Sequence, residues 1–170
     1  MDRVQLRETQ APLKERYKSD PDSAVVTLQA DGELDGQEIA CSVATGRALV
    51  EAGLHPATGG SGTLACSGDM LLQALVACAG VTLRSVATSL EIPVSGTVRA
   101  EGDLDFRGTL GVDREAPVGF GDVRLIFELE SDAAQDQLDT LMRLTERYCV
   151  VYQTLAAGVP VSVSCRTASA

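Results

Sequence analysis

Apolar residues alternate with polar ones in some stretches of this chain and recur at helical spacing in others, and the two periods divide it into elements. From Val123 to Glu130 the alternation is clearest, which predicts a strand over 122–130 with one buried face. Runs 94–103 and 104–112 predict two more strands, with Gly and Pro at 108, 111, 117, 119 and 121 marking the bends. The β-rich runs 24–28 and 39–43 flank Asp31-Gly32 and Asp35-Gly36, the composition of a long-looped hairpin. A last strand is expected over 161–165, after Gly158 and Pro160.

Helical spacing predicts a helix from Ser67 or Asp69 to about Leu90, stopped by Pro93. A second starts at Ser131 or Asp132 and ends near Tyr148, since Leu138, Leu141, Met142 and Thr145 share one face. Residues 149–157 read as a further short helix, and 13–18, after Pro12, as a short exposed one before the Asp20-Pro21-Asp22 break. Strands, long helix, strands, helix and strand make an α+β domain over 23–170, preceded by a peripheral N-terminal extension over 1–22. At 170 residues the chain is long enough for one core and short for two complete domains.

The first long helix is unusual in carrying no charge at 70–83, a stretch of 14 residues against roughly 20 for a membrane span. It reads as a core helix covered nearly all round, and a second copy of the chain would supply the missing cover, so a two-fold homodimer is expected. The formal net charge of -10 disfavours nucleic acid and anionic lipid surfaces as partners, and 4% aromatics leave few platforms for stacked bases. The N-terminus has charges where a secretory signal would be apolar, so the cytoplasm is the expected compartment and its cysteines the expected free thiols.

Few residues here can do chemistry. One His, no Cys-x-x-Cys and cysteine gaps of 25, 12, 71 and 16 positions argue against a metal site, and neither a metal nor a cofactor is expected. Gly59-Gly60-Ser61-Gly62 lacks the spacing of a phosphate loop, and no nucleophile elbow accompanies His55. Cys41, Cys66 and Cys165 read as small buried residues. Cys78 shares a helix face with Leu71, Ala74, Leu75, Val81 and Thr82, which by itself describes a core residue. Cys149 follows Arg147-Tyr148 at a helix junction, where amides and a guanidinium could lower a thiol pKa.

Two segments carry a family resemblance. From Ser67 to Cys78 the sequence SGDMLLQALVAC resembles the P-x-E-L-L-L-A-A-L-x-A-C helix of the OsmC/Ohr family, and Cys149-Val150-Val151 resembles its C-P-V segment. With the order of elements, the similarity covers roughly 23–166. The resemblance implies an OsmC-like fold: an intertwined homodimer of curved antiparallel sheets around two central helices. It also implies a thiol peroxidase acting on organic hydroperoxides or hydrogen peroxide, with Cys78 as nucleophile, Cys149 as resolving thiol and an external dithiol as reductant. A binding protein that keeps the fold without catalysis, and another thiol reaction, are the alternatives. The sequence departs from the family at three places: the catalytic Glu position is Gly68, no Arg occupies the first hairpin turn, and Val150 replaces Pro. Arg47 and His55, which flank the loop before the helix, and Asp69, beside the vacant Glu position, are the candidate activating or pocket residues.

Overall fold

The computed structural model describes residues 3–34, 41–43 and 52–165. Helix α1 (Arg3–Ser19) leads through a short 3-10 turn (Pro21–Ala24) into strands β1 (Val25–Leu34) and β2 (Cys41–Val43). A second 3-10 turn (Pro56–Thr58) precedes the long helix α2 (Ser67–Ser89), followed by β3 (Ser95–Asp105), the single-turn α3 (Phe106–Thr109), β4 (Phe120–Glu130), α4 (Gln135–Tyr148) and α5 (Val150–Ala157). The four strands form one antiparallel sheet in the order β2-β1-β3-β4.

The alternation read in the sequence sets which face is buried. On β3, Val98, Ala100 and Gly102 point to the core, and Leu72, Leu75, Val76 and Ala79 of α2 pack on that face. A Cβ at Gly102 would lie 2.5 Å from the Phe120 ring, so only glycine lets that ring lie across the strand. The other end of α2 packs Leu83 and Ala87 against Leu141 of α4 and Ile92. The close of α2 is a Schellman motif: the Ile92 amide donates to the Ala87 carbonyl at 2.9 Å and the Glu91 amide to Thr88 at 3.2 Å. Glu91 takes the left-handed conformation there, φ 55°, before Pro93 forbids further helix.

Four expectations change. The two strands foreseen over 94–112 are one strand and a helical turn, because the Asp105 carboxylate accepts the Arg107 amide at 3.0 Å and caps a turn where pairing would have continued. Helix α4 starts at Gln135 rather than 131 or 132. Ser131 commits its hydroxyl to the Pro93 carbonyl at 2.6 Å and receives the Ala133 amide at 3.2 Å, closing a turn ahead of the helix. Helix α1 runs through Pro12 and is not peripheral: Tyr17 is fully buried against Ala24, Phe106 and Leu110, and its hydroxyl donates to the Ala57 carbonyl at 2.6 Å. The segment 161–165 pairs with no strand among the described residues, and Val161 and Val163 are 84% and 93% exposed. An extended segment needs a sheet edge to pair with, and this one joins neither edge strand of the described sheet, β2 or β4.

Candidate active site

Cys78 sits in the middle of α2, one turn after Leu75 and one before Thr82, on the face that meets α5. Cys149 is the residue between α4 and α5. Its amide closes α4 by donating to the Thr145 carbonyl at 2.9 Å, its carbonyl accepts the Gln153 amide at 2.9 Å, and its Sγ accepts the Tyr152 amide at 3.5 Å as the N-cap of α5. An extended backbone there, φ −73° and ψ 107°, breaks the helical run and turns the first amides of α5 outward. They meet Cys78.

The two cysteines pack in one cluster and differ in character. Burial opposes ionisation of Cys78, but the amides of Val151 and Val150, the Cys149 thiol and the Thr82 hydroxyl all donate to its sulfur, and the net effect holds its pKa below the ordinary thiol range. Cys149 is fully buried and shifts the other way. Burial raises it first, and the hydrogen bond to and charge of Cys78 raise it further, against the Tyr152 and Val151 amides that lower it. Cys78 is thus the more acidic sulfur of the pair and Cys149 the less acidic one.

The sequence placed helix-terminal amides near Cys149 and assigned them to that residue. In the fold they lower Cys78 across the helix interface, and the Arg147 guanidinium lies 5.6 Å over the Tyr148 ring. The Val151 and Val150 amides and Thr82 are the contributors that sequence reading missed. Thr82 was legible as the residue one turn beyond Cys78. Val150 was visible as a departure from Pro, and its meaning is chemical: the first helical position tolerates Pro because its N–H has no helical partner, and Val restores that N–H as a donor.

The remaining candidates stand elsewhere. Asp69 lies in the first turn of α2, nine residues before Cys78, which at the rise of an α-helix is about 13 Å away. Burial raises its carboxyl and the charge of His55 draws it back down. His55 caps the 3-10 turn through Nδ1, which accepts the Ala57 amide at 3.1 Å, and its ring stacks on Phe106 with centroids 5.0 Å apart. Arg47 is outside the described residues. Arg84 donates from Nη1 to the Val94 carbonyl at 2.9 Å at the far end of α2. Among the described residues no group of three His, Cys, Asp or Glu side chains is arranged to hold a metal ion.

A cavity of about 740 Å³ opens between α2, β4 and α5, walled by Leu71, Leu75, Phe120, Val123, Leu125 and Tyr152. Leu71, Leu75 and Cys78 follow one another at helical spacing, so this apolar wall and the Cys78 thiol share one face of α2.

The fold and the thiol pair define an α+β protein with a two-cysteine centre on its core helix. The family model for OsmC-like proteins matches residues 60–164, more than half of the chain, and this chain belongs to that family. A solved structure with the same fold is that of an OsmC-like hydroperoxide resistance protein from Jannaschia sp. CCS1, at 15% identity and a TM-score of 0.58, covering 86% of this chain and 97% of that one. Comparison with curated protein sequences gave no match.

Proposed function

We propose that this protein is a thiol-dependent peroxidase that reduces organic hydroperoxides or hydrogen peroxide. The observation that carries the reading is the packing of a half-buried Cys78, whose thiol is held below the ordinary range, against a buried Cys149, whose thiol is raised. Cys78 attacks the distal peroxide oxygen, releasing alcohol or water and becoming a sulfenic acid. Cys149 then displaces the sulfenic oxygen to close a disulfide, which an external dithiol reduces. The apolar cavity beside Leu71 and Leu75 favours a hydroperoxide with a hydrocarbon body. The Jannaschia protein of the same fold is described as a hydroperoxide resistance protein, which agrees with this chemistry. A ligand-binding protein without catalysis has no need of a thiolate, so the lowered Cys78 weighs against that alternative. Stoichiometric cumene hydroperoxide added to the reduced protein is expected to disappear and leave a Cys78–Cys149 disulfide on mass-spectrometric mapping; absence of both ends the proposal.

The working unit in this reading is a homodimer. Leu71 and Val81 of α2 are 38% and 41% exposed, Val150 and Leu155 of α5 70% and 38%, and the unpaired Val161 and Val163 extend the same apolar character. Paired to a second copy, the tail gains a strand partner and the helices their cover. Val161→Asp with Val163→Asp is expected to shift the mass measured by light scattering from twice that of the chain toward the monomer.

A further inference from the structure

Reduction of an alkyl hydroperoxide expels an alkoxide, which leaves readily only if a proton reaches it as the O–O bond breaks. Cys78 packs against the cluster that holds the buried Cys149, and among the described residues the groups whose hydrogen bonding acts on its thiol are the Val151 and Val150 amides, Cys149 and Thr82. An amide or an aliphatic hydroxyl is a far weaker acid than a thiol, whose reference pKa is about 8.5. Glu146 stands exposed at the cavity rim, and Asp69 lies near the start of α2, so neither carboxylate shares this cluster. Even with its thiol raised by burial, Cys149 is the strongest acid among these described neighbours of the nucleophile, and it is sealed from water.

We infer that Cys149 protonates the departing alkoxide in the first chemical step and is thereby converted into the thiolate that attacks in the second. The inference rests on the peroxidase reading and adds the proton's path to it. In the first step the Cys78 thiolate forms a bond to the distal, OH-bearing oxygen while the O–O bond breaks. The alkoxide takes the Cys149 proton, so ROOH, thiolate and thiol become ROH, Cys78 sulfenic acid and Cys149 thiolate, with one negative charge on each side. In the second step the Cys149 thiolate attacks the sulfenic sulfur, forming the disulfide and expelling hydroxide, which solvent protonates. Thiol-pair geometry makes the exchange self-consistent. Once Cys78 is a neutral sulfenic acid, the charge that held the proton on Cys149 is gone, while the Tyr152 amide still points at its Sγ from 3.5 Å. The helix-terminal amides that first stabilised one thiolate then stabilise the other.

A leaving group that needs no proton separates this role from mere positioning. The first turnover is followed for wild type, Cys149→Ala and Cys149→Ser with cumene hydroperoxide and with peracetic acid, whose carboxylate departs unprotonated. Each rate is divided by the Cys78 thiolate fraction read from alkylation against pH. Both variants are expected to lose about a hundredfold with cumene hydroperoxide and to stay within about threefold with peracetic acid, the scale of general-acid catalysis. Equal losses on the two oxidants, or no loss on either, overturn the inference while leaving the peroxidase reading intact. A wild-type protein inert to both oxidants overturns the reading and the inference together.

Discussion

The start and the middle of α2 place polar groups against the same apolar helix and use them in opposite ways. At the start, His55 and Asp69 are the ionisable side chains that a sequence would nominate for activating a cysteine, yet the imidazole caps a turn and stacks on Phe106, and Asp69 lies about 13 Å of helix away from the thiol. In the middle, among the described residues no charged side chain acts on Cys78, and backbone amides of α5 are among the groups that lower its thiol. The difference teaches that a missing Glu and Arg need not mean an inert thiol. Helix-terminal amides supply part of the same stabilisation, carry no side-chain signature, and cost no reorganisation because the helix fixes them.

This comparison can be broken outright at the thiolate. Cys78→Ser is expected to reduce peroxide consumption to background while leaving the circular dichroism unchanged, since a serine hydroxyl stays protonated in the same amide cradle. Val150→Pro is the next largest effect and the most specific. Proline is well placed at the first helical position, so α5 should keep its fold, but the N–H directed at Cys78 is lost. The pH at which Cys78 alkylation rises should move upward, and its rate at pH 7 should fall about tenfold, the scale of one charge-assisted hydrogen bond. In the unaltered protein the same profile should rise below the ordinary thiol pKa of about 8.5, because a lowered pKa keeps the reactive thiolate present at more acidic pH. An unchanged profile in Val150→Pro would return the search to side-chain cations.

The smallest effects belong to the other end. His55→Ala and Asp69→Asn are expected to leave Cys78 alkylation within about twofold at every pH. His55→Ala should nonetheless lower stability by about 1 kcal/mol through its lost cap, measurable in denaturant. A shift of the Cys78 profile in either variant would reconnect the two regions.

Much of the fold was legible because its elements announce themselves locally. The helix expected from Ser67 or Asp69 to about Leu90 matches α2 to within two residues, and the alternation at 123–130 marked most of β4. Errors fell where a single side chain decides the backbone: Asp105 capping a turn inside an expected strand, Ser131 delaying α4, and Tyr17 drawing α1 into the core. The resemblance carried by residues 67–78 and 149–151 named the two cysteines, which no periodicity could have done.

The sequence by itself put Cys78 and Cys149 forward as a pair, since family-like segments are written in the order of residues. Only the tertiary structure separates them, with the Cys78 thiol lowered and the Cys149 thiol raised. A pKa depends on donors and burial in space, and the amides that favour Cys78 are some seventy residues away along the chain and about a hydrogen bond away across the α2–α5 interface. Val150 shows the division in one residue: its side chain reads as a departure from a motif, and its function lies in a backbone N–H that becomes a donor only where two helices meet.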